Sequence, residues 1–266
     1  MEAWPGPGTP RRTSIDVRSK LAEPGRPPTC GPGALKGDPK DSPAIDFNGT
    51  HHGDELATPE AMLALADHLI THPDEPEVAK LLEKYAIYLQ PVVNPDGLAA
   101  QKRKNAEGAD LNRAYPYPRE WFRFETAPEA ELVKDLVDEI SPKGAVAFHS
   151  GARSVLWPWG YKEETLGDAN LELASRVAAE AMGPNFEALQ SIQDYKAFGD
   201  FADYAYWRHG TIALTFEISN WQILANVGEL KEIVATTVRG SMAFMTALDR
   251  MPDDPDGNLL TRTLGE

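Results

Sequence analysis

A short apolar strand that runs into a loop crowded with imidazoles and carboxylates sets the terms for this chain. Ala44-Ile45-Asp46-Phe47 alternates its apolar side chains as a strand does, and the loop Asn48-Gly49-Thr50-His51-His52-Gly53-Asp54-Glu55 follows. Thr58-Pro59-Glu60 then reads as a helix start, with Thr58 as N-cap and Pro59 at the first helical position. The loop therefore lies at the carboxyl end of a strand, where open α/β sheets place their ligands. His-x-x-Glu supplies an imidazole and a carboxylate, and both bind zinc at about 2.0–2.2 Å. A catalytic zinc needs a third protein ligand and one open position. Taken alone, the same residues also suit a solvated loop whose acids cap the next helix.

The rest of the chain supplies a sheet to carry that loop. Residues 58–71 space their apolar side chains as a helix does, and a second short helix is expected near 76–85. Ala86 to Val93 reads as a buried strand that ends in the turn Asn94-Pro95-Asp96-Gly97. Thr126-Ala127-Pro128-Glu129 has capping-box spacing and opens a helix to about Ile140. Gly144–His149 is the next strand, 168–182 and 199–209 are helices, 211–218 is a buried strand, and a long helix runs from about 226 to 249. This alternation predicts one α/β domain at 44–250, a mixed, mostly parallel twisted sheet with helices on both faces.

The flanks read differently. Residues 1–43 are expected to form an irregular leader, since the first forty hold eight prolines and six glycines without periodicity. The stretch 251–266 reads as a polar tail. The net charge is −15, yet residues 1–40 hold seven Lys/Arg against four Asp/Glu, so the acidic excess belongs to the remainder. An acidic body disfavours nucleic acid and anionic membranes as partners. No apolar run approaches a membrane span, and the N-terminus lacks the basic and apolar regions of a signal peptide. The cytoplasm is the expected compartment for the chain as it stands, with export following only from a different N-terminus. The single cysteine, Cys30, forms no intrachain disulfide.

Polar groups recur where successive strands end: His52 and Glu55, Asn94 and Asp96, His149, then Glu217. Strand ends on one edge of a sheet converge, so His149 can complete a ligand set with His52 or His51, which spacing alone does not separate. Glu217 follows the apolar run Ile212–Phe216, and a buried carboxylate there is costly unless paired or functional.

The pieces resemble the zinc carboxypeptidases of the pancreatic A/B type and their bacterial relatives. In family order the chain carries His52-Gly53-Asp54-Glu55, Pro91-Val92-Val93-Asn94-Pro95-Asp96-Gly97, Arg103-Lys104-Asn105 and Asp110-Leu111-Asn112-Arg113. Phe148-His149-Ser150, Trp157-Pro158-Trp159-Gly160-Tyr161, Tyr195 and Thr215-Phe216-Glu217 follow. The resemblance implies one zinc ion on His52, Glu55 and His149, its register selecting His52 over His51. It implies Glu217 as general base, Arg103 as oxyanion stabiliser, and Asn112 and Arg113 as binders of the substrate's terminal carboxylate. Tyr195 would close over the substrate. Ala202 would sit at the position that sets side-chain preference, where a small residue implies broad or hydrophobic C-termini, while Asp200 nearby could attract a basic one.

The expected substrate is the C-terminus of peptides or proteins, and the expected state is a monomer. Two rival readings stand beside it: a related zinc amidohydrolase acting on cell-wall peptides or acylated amino acids, and an inactive carboxylate-binding homologue. Asn112, Arg113 and Tyr195 count against the acyl-amino-acid version. In relatives a helix and two strands precede the His-x-x-Glu loop, and residues 1–43 look poor for them.

Overall fold

A computed structural model describes residues 42–118, 127–220 and 226–251 in full, together with the backbone of two short strands upstream. In chain order the strands are β1 (Ile15–Val17), β2 (Gly33–Leu35), β3 (Ala44–Gly49), β4 (Ala86–Gln90), β5 (Gly144–His149), β6 (Arg153–Trp157), β7 (Glu187–Gln190) and β8 (Ile212–Ile218). The helices are α1 (Ala57–Thr71), α2 (Pro76–Lys84), α3 (Pro95–Ala100), α4 (Pro128–Ile140), α5 (Ala169–Met182), α6 (Ser191–Asp194), α7 (Phe201–His209) and α8 (Val227–Arg250). A 3-10 turn spans Leu111–Arg113.

All eight strands form one sheet in the order β1-β2-β4-β3-β5-β8-β6-β7. The centre, β4-β3-β5-β8, is parallel, and antiparallel pairs enter at β1-β2, β2-β4 and β6-β8. The mixed, mostly parallel sheet expected from the sequence is what forms. The irregular leader needs correcting, because two three-residue pieces of it extend the sheet and cover the outer edge of β4. A boundary at residue 44 therefore divides the sheet. Three residues are too short for a periodicity to register, and an unpaired β4 edge would expose backbone N–H and C=O groups. The remainder of the leader and the tail beyond 251 lie outside the described residues.

Burial is complete along β3, β4 and β5, as both faces of a parallel sheet require. The two faces differ in bulk. Phe47, Phe148 and Phe216 project to one side, where Phe244 of α8 meets all but Phe148 edge-on at 6.2 and 6.3 Å between centroids. Each of the four rings is fully buried, which contributes on the order of 2–3 kcal/mol apiece. α8 in turn packs on α5 and α1. The alternate positions on β5 and β8 are small, Ala145, Ala147 and Ala213, and α7 lies close against those two strands. His149 and Glu217 belong to this second set, since side chains alternate along a strand.

Two helix starts differ from expectation. α1 begins at Ala57 after Leu56, and Thr58 sits inside the first turn with its hydroxyl on Glu55 O at 2.9 Å. Glu55 is turned toward the imidazoles, so the chain enters the helix without a side-chain cap. α4 begins after Ala127, also without one, because Glu129, the far half of the expected capping box, instead accepts from Asn105 Nδ2 at 3.1 and 3.2 Å. Thr126 lies outside the described residues. Among these no helix is long and apolar enough to cross a membrane.

Candidate active site

The loop after β3 is held from two sides. Asn94, at the end of the next strand's connection, caps α3 by accepting from Gly97 N–H at 2.8 Å. Its Nδ2 donates to His51 O at 3.1 Å and to Arg103 O at 3.3 Å. The Asn-Pro-Asp-Gly turn is thus a clasp that ties the imidazole loop to the arginine loop. Thr50, just before the imidazoles, has φ +61°, a conformation β-branched residues avoid. Its hydroxyl donates to Pro91 O at 2.9 Å, and Asn94 N–H donates to Thr50 O. Strain of about 1–3 kcal/mol is held there by its neighbours.

His52, Glu55 and His149 converge. Their ligand atoms all lie within 4.8 Å of one another, and the three residues are buried. His52 Nδ1 stands 2.6 Å from Glu55 Oε1, and His149 Nδ1 stands 3.0 Å from Glu55 Oε2 and 3.2 Å from His52 Nδ1. Ser150 N–H donates to Glu55 Oε2 at 3.0 Å. His149 and Glu217 are direct register partners across β5 and β8, so the sheet itself sets their separation.

The neighbours tune these groups. His52 Nε2 donates to Asp110 Oδ1 at 3.1 Å, which leaves Nδ1 facing the cluster. Burial works against charge on His52, but Glu55 and then Asp110 outweigh it and push the imidazole up to about 9. Burial also opposes ionisation of Glu55, yet His149 and His52 bring its carboxyl down to about 2. Burial lowers His149. His51 is set apart: its Nε2 meets Tyr115 Oη at 2.7 Å, its ring stacks on His149 with centroids 5.4 Å apart, and burial lowers it well below the usual range. Of the two histidines, it is His52 that clusters with Glu55 and His149.

The donor set fits zinc. Tetrahedral donors bound at about 2.0–2.2 Å stand roughly 3.3–3.6 Å apart. The 3.0 and 3.2 Å separations approach that spacing, and the 2.6 Å contact of His52 with Glu55 is a hydrogen bond that a bound ion would replace. Two imidazole Nδ1 atoms and one carboxylate leave a fourth position open, as a catalytic site does.

Around this cluster lie the other residues singled out from the sequence. Arg103 Nε donates to Asp110 Oδ2 at 3.0 Å, and its Nη1 reaches within 3.3 Å of His52 Nδ1. Asp110 so fixes a ligand and a cation with one carboxylate, and these partners hold it well below the usual carboxylate range against the opposing effect of burial. Asn112 Oδ1 accepts from Phe201 N–H at 3.0 Å, which leaves its Nδ2 for a ligand. Arg113 donates to Asn112 O at 2.6 Å and to Tyr195 Oη at 3.2 Å, with its guanidinium 5.6 Å from that ring's centroid. Tyr195 is 47% exposed, the most open aromatic of the group. Glu217 is half-buried with Oε2 unpartnered, and burial first, then Glu55, pushes it up to about 8. Ala202 does not line the surface of this site: it is 1% exposed and lies on the core-facing side of α7's first turn.

Comparison with known proteins agrees with this geometry. A sequence model described as zinc carboxypeptidase matches residues 26–239, beginning inside the leader. The chain belongs to the zinc carboxypeptidase family. It is 27% identical over 198 residues to carboxypeptidase SOL1 of Arabidopsis thaliana, covering 67% of this chain and 40% of that protein. Against carboxypeptidase A4 of Mus musculus it is 25% identical over 250 residues, covering 80% and 60%. The fold is shared with the crystal structure of carboxypeptidase A from Helicoverpa armigera, at a TM-score of 0.70 and 19% identity over 82% of this chain and 64% of that one. The chain thus spans 40–60% of the length of these curated relatives.

Within this site, Asp110 and Tyr115 are the residues that sequence reasoning left without a role. Asp110 read as part of Asp-Leu-Asn-Arg and as a local cap, which it also is, accepting from Asn112 N–H at 3.1 Å. Its hold on His52 spans 58 residues of chain. Asp110→Asn keeps the shape but removes the charge behind the ligand, and zinc affinity is expected to fall about 10–100-fold, measured by competition with a chromogenic chelator. Unchanged affinity would mean that Asp110 serves Arg103 alone.

Proposed function

We propose that the protein is a metallocarboxypeptidase that hydrolyses the last peptide bond of peptides or proteins. The observation that carries this reading is the placement of Glu217, a carboxylate with one oxygen unpartnered, held by strand register beside the His52-Glu55-His149 cluster. When bound, zinc polarises the scissile carbonyl and lowers the pKa of a water molecule. Glu217 takes the proton from the attacking water and returns it to the leaving amine. Arg103, anchored through Nε on Asp110, keeps its Nη groups for the oxyanion that develops. Arg113 and Asn112 bind the free carboxylate of the substrate, the arginine through a two-pronged contact. Tyr195 gives up its hydrogen bond to Arg113 as the carboxylate arrives and covers the bound residue.

Exopeptidase action follows from distance, because the carboxylate must reach Arg113 while its peptide bond lies by Glu217. Broad acceptance at the C-terminus, hydrophobic residues included, is carried by the family resemblance alone, since Ala202 itself lies in the core. The reading is tested with blocked dipeptides ending in aromatic, aliphatic, basic and acidic residues. Zinc-loaded protein is expected to release the terminal amino acid, and a chelator is expected to stop it. Stoichiometric zinc with no release from any substrate would overturn the proposal.

A further inference from the structure

We infer that a cleft between the end of α5 and α8 binds a free α-amino acid with an apolar side chain. The cleft lies on the far side of the sheet from the His52-Glu55-His149 cluster. Glu217 faces Ser154 across β8 and β6, whereas Arg153 and Val155 belong to the alternate set, on the side of Phe216. α8 covers that side: a Cβ at Gly240 would stand 2.5 Å from Met182 Cγ and 3.4 Å from the Phe216 ring.

α5 stops at Gly183, whose φ of +130° suits glycine. The chain then passes through Pro184-Asn185-Phe186 into β7 and leaves a cavity of about 240 Å³ against β6 and α8. Drug-sized ligands occupy sites of roughly 300–1,000 Å³, so this one has room for a single amino acid.

The lining offers three kinds of contact. Arg153, the first residue of β6, has its Nε buried without a hydrogen-bond partner. Arg239 of α8 donates through Nε to Ala181 O at 3.3 Å, which leaves its Nη groups for a ligand. Glu232 lies two helical turns before Arg239 on the same face of α8. Met182 and Phe186 supply the apolar part. Among the described residues none of the three charged groups forms an ion pair.

Two guanidinium groups around one cavity, in a chain of net charge −15, suit a carboxylate that they can grip through paired N–H donors. Glu232 suits an ammonium group, and Met182 and Phe186 suit an aliphatic or aromatic side chain. A carboxylate alone would leave Glu232 unmatched, and an amine alone would leave Arg153 unmatched. The zwitterion of an apolar amino acid satisfies all three. A residue released from a peptide C-terminus belongs to this class, yet the site stands on its own lining and not on the carboxypeptidase reading.

The probe is L-leucine, followed by equilibrium dialysis on the zinc-loaded chain. Arg113→Gln removes the carboxylate anchor of the active site, and this variant is expected to bind one leucine per chain. Adding Arg153→Gln or Arg239→Gln is expected to weaken that binding about 10-fold or more. Arg239 is exposed, so its substitution leaves the core undisturbed. N-acetyl-leucine lacks the ammonium group and leucinamide the carboxylate, and each is expected to bind at least about 10-fold more weakly than leucine. In the otherwise unsubstituted chain, Arg239→Gln is expected to lower the number of bound leucines by one, whatever the active site holds. An unchanged count there overturns the inference. So does the absence of saturable binding to folded Arg113→Gln, binding that survives both further substitutions, or equal affinity for N-acetyl-leucine.

Discussion

Glu217→Gln is expected to lower the rate of C-terminal residue release by about 10³-fold while the protein keeps its zinc. General acid–base groups contribute roughly 10²–10⁴-fold, and Glu217 serves both the water and the leaving amine. The substitution is nearly isosteric and touches no ligand. Oε2 has no hydrogen-bond partner to lose. The folded-state pKa of Glu217 is about 8, raised from 4.5, so between these values the folded protein binds more protons than the unfolded chain. Stability from this group is greatest below pH 4.5 and declines as pH rises toward 8. An amide in its place removes that penalty, and the variant is expected to melt no lower than its parent at pH 7–8. Steady-state kinetics, metal analysis and thermal melts together check the claim. A variant that loses zinc along with activity would make Glu217 a ligand or a support for one.

Gly53→Ala carries the largest expected structural effect. A Cβ at Gly53 would stand 1.9 Å from Gly97 C, 2.2 Å from Leu98 N and 2.3 Å from Gly97 O, all backbone atoms that no rotamer change can move. The imidazole loop is already tied to the chain after α3 by Gly53 N–H to Arg103 O, and to the first turn of α3 by Asn94, which bonds both His51 O and Gly97 N–H. Forcing them apart by an ångström or more moves His52 against Glu55 and Asp110. The expected cost is about 3 kcal/mol or more, with zinc stoichiometry falling well below one. Thermal unfolding and metal content report the two effects separately. A variant that melts as the parent does and still binds one zinc would show that the loop yields freely.

The parts of this site that were legible in the sequence are those whose signals are local. Apolar runs marked β3, β4, β5 and β8, and each ended in polar residues that the parallel sheet gathers on one edge. His52, Glu55, His149 and Glu217 could therefore be placed together across 165 residues of chain. Other elements lacked such a signal. β7 reads Glu-Ala-Leu-Gln, a helix-forming composition, and is a strand only because it pairs with β6 at the outer edge of the sheet. β1 and β2 gain their conformation from the edge of β4, which no three-residue pattern can announce. Long-range partners were the other blind spot. Tyr115 holds His51 across 64 residues, and the core position of Ala202 depends on how α7 docks.

The central claim is that a free C-terminal carboxylate, bound by Arg113 and Asn112, positions one peptide bond at the zinc and Glu217. It is tested most directly by incubating the zinc-loaded protein with one peptide in two forms, the free acid and the C-terminal amide, and following both by mass spectrometry. The account predicts stepwise loss of single residues from the C-terminus of the free acid and an intact amide. Internal cleavage, or equal trimming of both forms, would contradict it.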